Sequence, residues 1–188
     1  MIAKALLNTI YQISTILQLK EIPFMFMGGL AISIWGEPRA TYDIDGVIKV
    51  NKNQLEELLN EFSQKGFRYD TNAPIKIIQS MPFITLIYQF KKRKIYIDLF
   101  LAKSEYEKQA LSRRQQINLK DINITLITPE DLILYKLLAG RTRDIDDIRE
   151  ILVMQKETLD MKYLKKWAKK LGVITYLEDE LSSLGIYY

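Results

Sequence analysis

Asp43 and Asp45 are the residues whose type and spacing point most directly to chemistry. They stand two apart in a run, 41–50, that reads as a β-strand. Both carboxylates therefore leave one face of the strand and Ile44 leaves the other. Two carboxylates that close repel each other unless a cation stands between them. Upstream, Gly28-Gly29 falls where a short apolar run, Phe24-Met25-Phe26-Met27, turns into a predicted short helix over 30–35. Missing side chains let a backbone approach a ligand, and free N–H groups at a helix start favour phosphate. Asp98 lies in Ile95-Tyr96-Ile97-Asp98-Leu99-Phe100-Leu101, an otherwise apolar strand. A lone carboxylate there is costly without a partner. It is either an exposed strand end or a third metal carboxylate beside Asp43 and Asp45. Each feature alone has an ordinary reading: a plain turn, a solvated acidic pair. Together, in one strand–turn–helix–strand unit, they point to nucleotide phosphoryl chemistry.

Composition narrows the mechanism. The 188 residues include no histidine and no cysteine. A Ser-His-Asp triad, an imidazole base, a thiolate nucleophile, a zinc finger and a disulfide framework are all excluded. Catalysis is left to carboxylates, Lys, Arg, hydroxyls and bound metal, and a carboxylate site takes a hard ion, Mg2+ or Mn2+. The 27 basic and 23 acidic side chains give a net charge of +4, which permits a polyanionic partner without proving one. Apolar residues at 48% and charged residues at 27% fit a globular protein rather than a disordered one. The length suits one domain, or one domain with a small helical annex.

The predicted elements must position these residues. The uncharged stretch 5–19 is broken by Asn8, Thr9, Gln12, Ser14, Thr15 and Gln18, and Ile2, Leu6, Ile10, Ile13 and Leu17 share one helical face. It reads as an amphipathic first helix rather than a secretion signal. The run 22–36 contains Pro23 and the Gly pair and is too short to span a bilayer. The chain is thus expected to be cytoplasmic, with no membrane partner. Leu55, Leu58, Leu59 and Phe62 predict a helix over 53–63. Two β-rich runs, 83–90 and 94–101, form a hairpin around the basic turn Lys91-Lys92-Arg93, and 122–127 predicts a further strand. Thr128-Pro129-Glu130-Asp131 has the cap hydroxyl, first-turn proline and carboxylate of a helix start, and that helix should stop at Gly140. Further helices are expected over 144–154, 161–171 and 174–184. The fold class is α+β: a mixed sheet flanked by helices over 1–127, and a C-terminal helical bundle over 128–188.

The spacing G-G-x13-D-x-D, followed by a later strand Asp, resembles the nucleotidyltransferase superfamily with the polymerase-β-type palm. The segment Arg39-x-Thr41-x-Asp43-Ile44-Asp45, with the later Lys136-Leu-Leu-Ala-Gly-Arg-Thr-Arg-Asp144-Ile-Asp-Asp, is similar to its AbiEii-like branch. That branch includes toxins of toxin–antitoxin systems, some of which modify tRNA. The resemblance covers about Met27 to Ile148. It implies that Asp43, Asp45 and Asp98 hold metal, and that Asp98 also helps deprotonate an acceptor hydroxyl. It implies that Gly28 and Gly29 contact a triphosphate, that Arg39 and Thr41 support the phosphate side, and that Lys136 and Asp144 match later nucleotide-binding motifs. Many members carry Ser after the first Gly, where this chain has Gly29. The implied substrates are an NTP and an acceptor hydroxyl on tRNA, a protein or a small molecule, with an antitoxin as an implied partner.

Other signals stay open at this level. Lys136 lies in a helix apolar nearly all round, so it either snorkels to the surface or meets an anion. Asp144, Asp146 and Asp147 would also suit a charged helix start. Lys162, Lys165, Lys166, Lys169 and Lys170 share one face, either solvated or an electrostatic track for RNA. Lys91-Lys92-Arg93-Lys94 and Arg113-Arg114 add basic density near the Asp98 hairpin. The reading reached is a metal-dependent nucleotidyltransferase. Its alternative is a non-catalytic nucleotide- or RNA-binding module acting through a partner. Gly29→Val is expected to block phosphate approach and to spare the fold.

Overall fold

The computed structural model describes residues 4–78, 81–119 and 122–187. Its strands are β1 (Phe24–Met27), β2 (Asp43–Ile48), β3 (Lys76–Ile78), β4 (Met81–Phe90), β5 (Arg93–Leu101), β6 (Gln115–Leu119) and β7 (Ile122–Leu126). Its helices are α1 (Lys4–Leu19), α2 (Gly28–Trp35), α3 (Lys52–Gln64), α4 (Glu105–Arg113), α5 (Pro129–Ala139), α6 (Thr142–Met154), α7 (Met161–Lys170) and α8 (Ile174–Ser183). The strands form one sheet in the order β3-β4-β5-β2-β1-β7-β6. β2 runs parallel to β5 and antiparallel to β1, and β1 runs parallel to β7, so the sheet is mixed. This is the α+β fold that the sequence leads one to expect.

Alternation along β4 and β5 gives the sheet two different faces. Ile84, Leu86, Ile97 and Leu99 are fully buried, with Ile44 of β2, on the face crossed by α1. Met81, Phe83, Thr85, Asp98 and Phe100 point the other way and are only half-buried. That second face is where the predicted site residues gather. Helices α5 to α8 pack on one another, and α5 and α6 also meet α2.

Local chemistry accounts for several helix ends. Thr128 caps α5 by accepting the Asp131 N–H, and Gly140 ends the helix at φ 63°, where a side chain would be strained. Asn51 and Gln54 form a reciprocal capping box on α3. The helix expected at 144–154 begins two residues earlier, at Thr142, and Asp144 in its first turn accepts the Arg141 backbone N–H. Three elements were not foreseen: β3, β6 and α4. α4 does carry a start signal, since Ser104 accepts from the Glu107 N–H while Glu107 accepts from the Ser104 N–H. β3 is short and exposed throughout, so it lacks the alternation that marks a strand.

One expectation about basic residues needs correction, and the α7 lysines fit the solvated-face reading. Arg113 is no free part of a cationic patch: it pairs with Glu130 at 3.1 Å and stacks over the Tyr163 ring at 3.7 Å, tying α4 to α5 and α7. α7 buries Met161, Leu164, Trp167 and Ala168, and its lysines lie on the outer side. Lys170 there approaches Glu105 and lies over the Trp167 ring. Among the described residues, no helix is long and apolar enough to cross a membrane.

Candidate active site

The strand register brings the three aspartates together. β2 and β5 pair with Asp45 directly beside Asp98 and Asp43 beside Tyr96. Asp43, two residues before Asp45, shares its face, so all three carboxylates leave the side of the sheet opposite the core. They line one cavity of about 550 Å³. Thr85, cross-strand from Asp98, donates its hydroxyl to Asp98 Oδ1 at 2.7 Å. Thr41 donates to Asp43 Oδ1 at 3.2 Å.

Asp45 is the innermost of the three, and its carboxyl is pushed up to about 6. Burial is the largest cause, followed by the negative charges of Asp43 and then Asp98. Arg141 and Lys136 pull in the opposite direction and do not cancel the effect. An all-oxygen donor set whose members repel one another suits a hard divalent cation. Among the described residues, however, no three acidic side chains already stand in a ready metal-binding cluster. Thr85 and Thr41 each occupy one oxygen of Asp98 and Asp43, so the residues fit such an ion in chemistry and register, and side-chain rotation would have to complete the chelate.

The glycine pair sits in the same cavity and also makes room for its neighbours. Strand β1 ends at Met27, in register with Asp45, and α2 begins at once at Gly28. Gly28 has φ +62°, and a Cβ on it would lie 2.0 Å from Asp45 Oδ2. A Cβ on Gly29 would lie 2.6 Å from Thr41 Oγ1 and 3.1 Å from Thr41 Cβ. The missing side chains make room for Asp45 and Thr41, and so let β2 and the loop before it close against the helix start. A branched side chain at Gly29 must displace Thr41, so Gly29→Val would disturb the loop before β2 as well as any backbone approach to phosphate.

The later segment forms a second charged cluster on the opposite wall. Lys136 is 7% exposed and does not snorkel. It pairs with Asp144 Oδ1 at 3.1 Å and makes a short contact with Asp147 Oδ2. Asp147 also accepts from the two terminal nitrogens of the Arg39 guanidinium, at 2.5 and 3.1 Å. Asp144 receives Arg141 Nε at 2.8 Å. The Asp144 carboxyl sits below its ordinary value: burial, the largest single influence, pushes it up, but hydrogen bonds from Arg141 and Lys136 and their charges outweigh it. Every expected site residue thus lines the cavity, yet Arg39, Lys136 and Asp144 are already joined to one another through Asp147 and Arg141. Asp147, Arg141 and Arg143 were not singled out as site residues. The signal available was the i, i+3 spacing of Asp144 and Asp147 on one helix face, which suits two carboxylates meeting the same buried cation.

A mixed sheet carrying Asp43, Asp45 and Asp98 over a helix start defines a protein of the nucleotidyltransferase class. The chain belongs to the family described as "Nucleotidyltransferase of unknown function (DUF6036)", which matches residues 4–183. Solved structures share the fold at low identity. An antigenic nucleotidyltransferase-like protein from Paracoccidioides brasiliensis is 17% identical with a TM-score of 0.52, covering 96% of this chain and 93% of its own. A Thermotoga maritima protein assigned as a nucleotidyltransferase is 16% identical with a TM-score of 0.54, covering 81% and 95%. The lincosamide antibiotic adenylyltransferase LnuA, solved with lincomycin, is 14% identical with a TM-score of 0.51, covering 77% and 94%. No curated protein matches the sequence.

Proposed function

We propose that this protein transfers a nucleoside monophosphate from an NTP to an acceptor hydroxyl. The observation that carries the reading is the in-register pair Asp45–Asp98, with Asp43, on the cavity face beside the start of α2. The acceptor oxygen forms a bond to the α-phosphorus, the bond from the α-phosphorus to the bridging oxygen breaks, and pyrophosphate leaves. Asp98 accepts the hydroxyl proton, and Thr85 holds the Asp98 carboxylate in place through its donated hydrogen bond. The first N–H groups of α2, with Arg141 and Arg143 at the cavity wall, face the charge of the leaving pyrophosphate. Asp43, Asp45 and Asp98 would hold Mg2+ or Mn2+, which when bound supplies charge stabilisation to the attacking and leaving oxygens. Arg39 and Lys136 act in this reading by fixing Asp144 and Asp147, and with them Arg141, rather than by touching phosphate as free cations.

Residues 1–127 would carry the reacting groups and residues 128–188 the charged wall that closes over them. The likeness of Arg39-x-Thr41-x-Asp43-x-Asp45 to the AbiEii-like branch supports a bacterial toxin–antitoxin setting, with tRNA among the acceptors and an antitoxin as partner. The adenylyltransferase among the structural relatives supports the transfer chemistry itself, with ATP as one NTP to try. The test is incubation with each α-labelled NTP, magnesium and cell extract. Label is expected in one acceptor class, lost with chelator or with Asp43→Asn. Label that persists unchanged in Asp43→Asn would overturn the reading.

A further inference from the structure

The cavity has two chemically different sides. Arg39, Lys136, Arg141, Arg143, Asp144 and Asp147 form one of them, next to the start of α2. The other is built from Ile78, Met81, Phe83 and Phe100, on β3, β4 and β5. Those strands lie on the far side of β2 from β1, after which α2 starts, so Asp98 stands between the helix start and the apolar floor. Phe83 and Phe100 are cross-strand partners with ring centroids 5.2 Å apart and planes at 27°. The next pair along the same face is Thr85 and Asp98. None of the four floor side chains offers a hydrogen bond, so phosphate or a bare polyol would lose its water there without compensation. A flat ring loses little and gains a stacking surface.

We propose that this floor is the acceptor subsite, and that the acceptor carries its reactive hydroxyl beside a planar or aromatic ring. The inference rests on the transfer reaction proposed above. Phe100 lies two residues beyond Asp98 on one strand face, a separation of roughly 6–7 Å. A ring lying over Phe83 and Phe100 therefore places a hydroxyl on its attached sugar or short chain at the Asp98 carboxylate. The same chemistry comes from two sources, a free ring-bearing small molecule or the terminal nucleotide of an RNA strand.

The experiment compares the full chain with Phe83→Leu and Phe83→Tyr, after thermal melting shows which variants keep the fold. Each is given magnesium, an NTP mixture and one acceptor: uridine, a short RNA with a free 3′ hydroxyl, a tyrosine-containing peptide, or an aminocyclitol without an aromatic ring. Transfer is expected only to ring-bearing acceptors. Phe83→Leu should raise the acceptor KM roughly tenfold, in line with the loss of one stacking contact, with the NTP KM unchanged, and Phe83→Tyr should restore it. Uridine and RNA arms separate the two sources. Efficient transfer to the aminocyclitol, or a Phe83→Leu effect confined to the NTP KM, overturns the proposal while leaving the transfer reaction intact. Binding of the same acceptors without NTP, followed by NMR line broadening, tests the floor independently of turnover. Ring acceptors that bind the parent and not Phe83→Leu support it even where no transfer occurs, and ring acceptors that fail to bind the parent sink it.

Discussion

Two clusters of aspartates face each other across one cavity, and they are treated differently by the fold. Asp144 and Asp147 are each 1% exposed and are met by Lys136, Arg39 and Arg141. Asp43, Asp45 and Asp98 are more open, and the hydrogen-bond partners of Asp43 and Asp98 are neutral hydroxyls. The consequence is visible at Asp45, whose carboxyl is pushed up by burial and by its two acidic neighbours. In the first cluster negative charge is neutralised within the protein, and its role is to hold α5, α6 and the loop at Arg39 together. In the second, among the described residues no Lys or Arg forms a salt bridge with the carboxylates, which is why the proposed function assigns them to a bound cation. The contrast distinguishes carboxylates already paired with cations from carboxylates that are not, without appeal to their position in a motif.

The strongest way to break the contrast is to remove charge from each side in turn. Asp98→Asn should lower nucleotidyl transfer by about 10²–10⁴-fold, the range of a lost general base. Its melting temperature should change little, and a labelled-NTP assay beside a melting curve reads both. Lys136→Met should do the reverse. Removing one partner of a buried ion pair leaves Asp144 and Asp147 under-compensated, and the expected loss is about 3–5 kcal/mol of stability in a urea titration. A Lys136→Met protein that folds normally and fails only in NTP binding would return Lys136 to a direct phosphate role.

A subtler expectation concerns pH. Asp45 titrates at about 6 in the folded protein against an ordinary 3.8. The folded state therefore holds this proton more tightly than the unfolded chain, and the ionised group opposes folding. That penalty is fully present above pH 6, shrinks as the pH falls and is gone below 3.8. The difference corresponds to roughly 3 kcal/mol. In metal-free buffer Asp45→Asn should thus be more stable than the parent at pH 8, with the gap closing toward pH 4. Urea titrations across that range check the sign. The smallest effect is expected at Thr85. Thr85→Val removes the donor to Asp98 and should cost about 1 kcal/mol of transition-state stabilisation. Thr85→Ser should restore the rate, and an unchanged rate in Thr85→Val would show that Asp98 is held by other means.

Much of the Asp43, Asp45 and Asp98 side was legible because it depends on short-range periodicity. The two-residue spacing of Asp43 and Asp45 puts them on one face of a strand wherever that strand pairs, and the isolation of Asp98 among apolar residues marks it in the same way. The helix from Pro129 to Ala139 was legible from its cap hydroxyl, its proline and Gly140. The neutralised side was not legible, since Arg39 and Asp147 are brought together across 108 positions and no local pattern encodes that meeting. The same holds for Gly29. Its lack of a side chain suits a phosphate contact in sequence, but the nearest obstacle is Thr41, twelve positions later, which only the packing of the loop reveals. The open apolar floor stayed hidden because Phe83 and Phe100 look like ordinary core residues until the sheet shows which of its faces is uncovered.

The central claim is that the charge on Asp43, Asp45 and Asp98 is kept for a bound cation and nucleotide. Thermal melting of the parent and Asp45→Asn at pH 8, each with and without magnesium and NTP, tests it most directly. The parent should melt later when magnesium and NTP are present together, while Asp45→Asn should melt later than the parent in their absence and respond to neither. An Asp45→Asn protein that melts earlier than the parent without metal, yet is stabilised by magnesium and NTP as the parent is, would contradict the account.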